Sequence, residues 1–161
     1  MISYMNTPQS SKPVRVVIVD DHPGIRQGLR AMLEGGEFEL CGEAENAAQA
    51  LNVIAAESPD IAIIDISLKG AVHGLELTRQ LRHLHPSVAV LVLSLHAEAE
   101  FAVGAIAAGA GGYLSKSEAG EFLPEALRAI LSGNTFATPE MRERMTSSRD
   151  QRGDAPPRSA Q

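Results

Sequence analysis

Five polar side chains follow short apolar runs in this chain. Asp20 and Asp21 come after Val14–Val19, Asp65 after Ile61–Ile64, Ser94 after Val88–Leu93, and Lys116 shortly after Gly112–Leu114. A brief run of β-branched residues reads as a buried strand, so each polar group falls where a strand hands over to the next segment. Three carboxylates brought together repel, and either one takes a proton or a cation sits among them. All the candidate donors are oxygens, with no cysteine ligand nearby. That set favours Mg2+, which holds oxygen ligands and keeps several waters, over zinc. A lysine and a hydroxyl beside such an ion can hold phosphoryl oxygens, the lysine as a compact point charge. A carboxylate in that clamp can attack phosphorus and become an aspartyl phosphate. The transition state is loose and rich in negative charge, so such a site works by positioning and charge neutralisation. The residue types therefore point to phosphoryl transfer onto Asp65.

The positioning elements are legible as an alternation. Pro23 opens a helical pattern with Ile25, Leu29, Met32 and Leu33 on one face, stopped by Gly35-Gly36. Phe38–Gly42 reads as a weaker second strand. Asn46 is placed to cap a second helix carrying Ala47, Ala50, Leu51 and Ile54. Leu75, Leu77, Leu81 and Leu84 mark a third helix, the alanine-rich stretch 97–108 a fourth, and Phe122 to Leu131 a fifth. Pro124 sits in the interior of that last helix unless the helix starts near Gly120, which would put it in the first turn. Thr138-Pro139-Glu140 starts a short helix through Met145. Strands alternating with such helices are βαβ units, which wind right-handed into a parallel sheet covered on both faces. The expectation at this point is an open sheet of five parallel strands with helices on both faces. Ligands of such sheets bind at the carboxyl ends of the strands, where the five polar groups converge.

Composition narrows the function classes. The chain has 161 residues, with 14 basic and 20 acidic side chains and a net charge of −6, which argues against nucleic-acid binding through bulk charge. A single cysteine, Cys41, can make neither an internal disulfide nor a thiolate metal site, and it reads as a small buried hydrophobe. No run of about 18 apolar residues is present, so no membrane span or membrane partner is expected. The amino terminus lacks the apolar run of a signal peptide, and a cytoplasmic location is expected. Paired acids at a strand end often only cap the following helix. His83 and His85 lie two apart near a helix end and do not face one point, so both read as surface residues. His22 reads as a helix-start residue beside the acid pair.

The stretches VVIVDDHPGIRQGLR, DISLKG, GLELTRQLR, VLVLSLHAEAE, AAGAGGYLSK and EALRAILSG resemble the receiver domain of two-component response regulators, most closely the NarL/LuxR-type subfamily. The resemblance covers about residues 14–133 and implies a flavodoxin-like (CheY-like) doubly wound sheet of five parallel strands in the order 2-1-3-4-5. It implies that Asp65 is the phosphoacceptor of a sensor histidine kinase. Asp21 would bind Mg2+ directly and Asp20 mostly through water, with Asp65 and the backbone carbonyl of Ser67 completing the protein ligands. Ser94 would bond the phosphoryl group and draw the following loop inward. His96 would be the aromatic switch residue of that loop, and Lys116 would pair with the phosphoryl oxygens. The face made by the fourth helix, fifth strand and fifth helix would report the change and control dimerisation or transcription, with a homodimer expected on phosphorylation. Such a chain is a signalling switch that catalyses only its own phosphorylation and dephosphorylation.

The chain departs from the family pattern in places. Asp65 to Gly74 spans nine positions, one more than the usual spacing, and Lys69 replaces a common proline. Residues 1–13 read as a flexible arm, 14–133 as the receiver, and 134–161 as a short helix with a disordered tail or linker. Nothing after Gly133 is long enough for a helix-turn-helix reader, so DNA contact is expected only through a domain absent from these residues. A complete single-domain phosphorelay shuttle or protein-binding module is the alternative. An Asp-nucleophile phosphatase usually carries a second acid two residues on, where this chain has Ser67.

Overall fold

The computed structural model describes residues 12–95 and 98–153. Its elements run β1 Val14–Val19, α1 Pro23–Leu33, β2 Phe38–Ala44, α2 Ala47–Glu57, β3 Ile61–Asp65, α3 Gly74–Leu84, β4 Ala89–Ser94, α4 Ala99–Ala107, β5 Gly112–Ser115, α5 Ala119–Leu131 and α6 Pro139–Gly153. The five strands form one parallel sheet in the order β2-β1-β3-β4-β5, as expected. His96 lies outside the described residues.

The pleat of each strand divides the core into two layers. Val17, Val19, Ala62, Ile64, Val90 and Val92 face Ala50 and Ile54 of α2, Leu77 and Leu81 of α3, and Ala102 and Ala105 of α4. Their neighbours Val16, Ile18, Ile61, Ile63, Leu91 and Leu93 face Leu29 and Leu33 of α1 and Leu123 and Leu127 of α5. Burial on both sides explains why β1, β3 and β4 read as near-continuous apolar runs. It also confines their polar side chains to the strand ends, where Asp20, Asp65 and Ser94 sit.

Two local devices set the helices against those ends. Asn46 Oδ1 accepts from the Gln49 backbone at 2.9 Å, and the Gln49 side chain accepts from Glu45 N at 3.0 Å, so α2 starts in a reciprocal cap. A Cβ at Gly74 would lie 2.1 Å from the Asp65 carbonyl oxygen and 2.7 Å from Ile66 Cα. Only glycine lets α3 begin against the backbone that carries Asp65.

Three sequence expectations change. Strand β2 runs on to Ala44 through an irregular register at Val16/Val17, beyond the expected end at Gly42. Helix α5 starts at Ala119, which puts Pro124 in its interior rather than in the first turn. The helix tolerates it because the carbonyl that loses its partner belongs to Gly120, which is exposed and open to water.

The third change concerns the segment after α5. Helix α6 reaches Gly153, eight residues past the expected end at Met145. It has no broad apolar stripe. Local pairs hold it instead: Arg144 with Glu140 at i,i+4, and the Thr146, Ser147 and Ser148 hydroxyls on the carbonyls of Arg142, Glu143 and Arg144. Its root is built into the sheet. Phe136 N donates to Gly111 O at 2.9 Å and Tyr113 N donates to Phe136 O at 3.0 Å, so residue 136 extends the sheet beyond β5. Gly112 leaves the room, since a Cβ there would stand 3.1 Å from Phe136 Cβ. Phe136, Ala137, Thr138 and Met141 are buried, and Met145 packs against the same layer as α4.

Residues 134–145 thus belong to the packed body. Phe136→Ala should cost about 3–5 kcal/mol in urea unfolding, the range for a buried aromatic truncated in a core. A loss below about 1 kcal/mol would show that this segment is dispensable to the fold.

Candidate functional site

The carboxyl ends of β1, β3, β4 and β5 meet at one rim. Asp20 and Asp65 are buried there, and the Asp65 side chain is 1% exposed. Lys116, 7% exposed, enters from the β5–α5 turn and places Nζ 2.9 Å from Asp20 Oδ2 and 3.3 Å from Asp65 Oδ2. The Lys116 backbone N–H donates to Ser94 O at 2.7 Å, which ties its turn to the end of β4. Asp21 adds a third, mostly buried carboxylate, with Lys69 Nζ 3.8 Å from its Oδ2. Asp20, Asp21, His22 and Asp65 each offer a ligand atom within 4.8 Å of the others. Sequence reasoning left His22 out of that group.

Hydrogen bonding within the cluster is uneven. Asp65 Oδ1 accepts from the Ser67 backbone N–H at 3.1 Å, while Oδ2 accepts no hydrogen bond. Asp20 Oδ1 accepts from His22 N at 2.8 Å. Both carboxylate oxygens of Asp21 are buried without a hydrogen-bond partner. Buried oxygens left unsatisfied are costly, and a cation among them would supply what the protein does not. The donor set therefore fits a divalent ion held by oxygens. The side chain of Ser67 is exposed, and its part in the cluster is through the backbone.

Burial pushes the Asp65 carboxyl above the usual carboxylate range. The Ser67 N–H opposes this, the Asp20 charge adds to it, and the Lys116 ammonium opposes it again. Asp65 is thus the acid of the cluster whose charged form is held at a cost.

Ser94 is fully buried, and its side chain hydrogen-bonds the phenol of Tyr113, itself buried on β5. Burial raises the Tyr113 pKa above the ordinary tyrosine value, and the Ser94 bond opposes that shift. The aromatic switch expected at His96 lies outside the described residues, and Tyr113 was not among the residues the sequence singled out. The available signal was a phenol in the middle of a buried strand, three residues before Lys116, where its hydroxyl must find a partner.

Comparison with known proteins follows the same lines. The family described as response regulator receiver domain matches residues 16–128. A Pseudomonas aeruginosa chain named as a transcriptional regulator is 42% identical over 137 residues, which make up 84% of this chain and 66% of that one. The transcriptional activator protein ExaE of Pseudomonas putida is 40% identical over 122 residues, 75% of this chain and 56% of that protein. A solved two-component response regulator of the LuxR family from Aurantimonas superposes with a TM-score of 0.80 at 32% identity, covering 86% of this chain and 99% of that one. This chain belongs to the response regulator receiver family and is a receiver domain of two-component signalling. It spans between 56% and 66% of the length of the two curated relatives. Among the described residues, no helix is long and apolar enough to cross a membrane.

A carboxyl whose folded pKa exceeds its unfolded value weakens the fold once pH rises above the unfolded value, and it has no effect in acid where both states are protonated. Asp65→Asn should therefore raise the thermal midpoint at pH 7 in the presence of chelator. The gain should fade as the pH falls toward about 4. A midpoint at pH 7 equal to or below that of the parent would contradict the assignment.

Proposed function

We propose that Asp65 accepts a phosphoryl group from the phosphohistidine of a sensor kinase. Asp20, Asp21, Asp65 and the Ser67 backbone carbonyl would hold Mg2+. The observation that carries this reading is the Asp65 carboxylate. It is buried and has one oxygen without a hydrogen bond, with an ammonium at 3.3 Å and two further acids beside it. In the transfer, an Asp65 oxygen forms a bond to phosphorus as the bond from phosphorus to the histidine nitrogen breaks, and the imidazole leaves. The bound ion supplies charge neutralisation for the transferring group. Lys116 neutralises further phosphoryl charge as a point cation. The Ser67 N–H keeps the nucleophile oriented. Later attack of water on phosphorus returns the free carboxylate, so the chemistry is confined to the protein's own acid.

The switch follows from the Ser94–Tyr113 bond. A phosphoryl group on Asp65 offers the Ser94 hydroxyl a charged acceptor, and charge-assisted hydrogen bonds are about twice as strong as neutral ones. If Ser94 turns toward it, the buried Tyr113 phenol loses its partner and β5 must adjust. Helices α4 and α5 flank that strand and carry the change to the surface. The output is a cytoplasmic one: homodimerisation and control of transcription, with DNA contacted through a domain outside these residues. The names of the relatives support the transcriptional reading.

Mass spectrometry of protein treated with acetyl phosphate tests the acceptor. One phosphoryl group should appear on Asp65 with Mg2+, disappear with chelator, and be absent from Asp65→Asn. Undiminished labelling of that variant would move the acceptor elsewhere. Lys116→Ala should still fold but lose phosphorylation-dependent dimerisation, measured by sedimentation. A dimer like that of the parent would remove Lys116 from the switch.

A further inference from the structure

His22 occupies the position before α1, where Ser, Thr, Asn and Asp are preferred because their side chains cap the helix. Its side chain makes no capping bond. The ring turns toward the acids instead. Nδ1 is hydrogen-bonded to Asp20 Oδ1 at 3.1 Å and lies 2.9 Å from Asp21 Oδ1, while the residue's backbone N–H also donates to Asp20 Oδ1 at 2.8 Å. At 2.9 Å, Nδ1 is close enough to Asp21 for a hydrogen bond, yet both Asp21 oxygens remain without one. The nitrogen approaches Asp21 off the hydrogen-bonding direction.

That geometry resembles the edge of a coordination shell. Two ligands about 2.1 Å from an ion on adjacent octahedral vertices are about 3.0 Å apart. The spacings from Nδ1 to the two carboxylates match that edge. Independently, both Asp21 oxygens and Asp65 Oδ2 are buried in the same cluster without a hydrogen bond, Asp65 Oδ2 facing only the Lys116 ammonium at 3.3 Å. The His22 side chain is 50% exposed, which leaves the ring room to turn its Nδ1 onto an ion among the acids.

We propose that His22 is a nitrogen ligand of the acidic cluster. It would make the site a mixed nitrogen–oxygen cage that favours first-row transition-metal dications over what carboxylates and carbonyls alone would select. Imidazole suits such ions, whereas Mg2+ keeps to oxygens and water. The proposal rests on reading the cluster as a divalent-cation site, and it adds a residue that sets which cation is held.

Pulsed electron paramagnetic resonance of the protein loaded with Mn2+ tests it directly. The parent should show nitrogen-14 coupling from one bound imidazole, and His22→Ala should lose it. Titration calorimetry should show Mn2+ binding weakened about tenfold in His22→Ala and Mg2+ binding changed by less than about twofold. His22→Asn, which restores a preferred helix cap, should fold normally and also lack the coupling. Mn2+ bound to the parent without nitrogen coupling, while Asp65 is still phosphorylated, would overturn the His22 proposal alone. So would coupling that persists in His22→Asn. Failure of the parent to bind either ion would overturn both the ligand and the cation site on which it rests.

Discussion

Three largely buried carboxylates share one rim of this molecule, and the buried ammonium of Lys116 faces two of them. Lys116 sits 2.9 Å from Asp20 and 3.3 Å from Asp65, whereas Asp21 is approached only by the exposed Lys69 at 3.8 Å and by His22. The charge is thus undercompensated inside the protein, and the shortage takes the form of buried oxygens without partners. A fold that only needed stability would not keep this arrangement, since buried ionic groups rarely gain more than their desolvation costs. Much of the structure can be read as the means of holding it. The parallel sheet brings the strand ends together, and Gly74 lets α3 begin against the Asp65 backbone. Pro23 starts α1 directly after the acid pair.

The same arithmetic links the site to the output. Burial, and after it the Asp20 charge, disfavours the charged form of Asp65, so the proposed phosphoryl group and cation would change the balance at that acid. Ser94 and Lys116 lie next to one another through the bond from Lys116 N to Ser94 O, and each has a second attachment. Lys116 is bound to Asp20, and Ser94 is bound to Tyr113. The phosphoryl group proposed for Asp65 would compete with two existing partnerships, one an ion pair and one a neutral hydrogen bond that leads from Ser94 to Tyr113 on β5.

How much of this was legible in the chain depends on whether the signal was local. An aspartate after a β-branched run is a local pattern, the alternation of such runs with helical periodicities specifies a parallel sheet, and the family resemblance supplied its strand order. The convergence of Asp20, Asp21, Asp65 and Lys116 follows from that order. Tyr113 was hidden because its meaning lies across the strand pair, in the hydroxyl of Ser94. His22 was hidden because a residue at a helix start has an adequate local explanation, and only the direction of its ring argues otherwise. The docking of Phe136 was hidden because it depends on space at Gly112, a tertiary fact. The length of α6 was underestimated because the helix is held by side-chain pairs and back-bonding hydroxyls, and a search for an apolar stripe does not register them.

The α6 root also alters what the reporting face can do. Glu118 lies two residues beyond Lys116. One of its oxygens accepts from Ser115 N and Ser115 Oγ, and the other accepts from Thr138 Oγ1 at 3.3 Å. Thr138 in turn accepts from Met141 N, capping α6. The chain of bonds from the Lys116 turn to the first turn of α6 is short and continuous, and Tyr113 shares its backbone with the Phe136 bridge. Beyond Met145, α6 carries only polar and charged side chains up to Gly153. The helix is thus anchored at the end nearest the switch and solvated at the other. Any movement of β5 would therefore reach α6 first through its root, where the Phe136 bridge and the Thr138–Glu118 bond tie it to the strand and to the Lys116 turn.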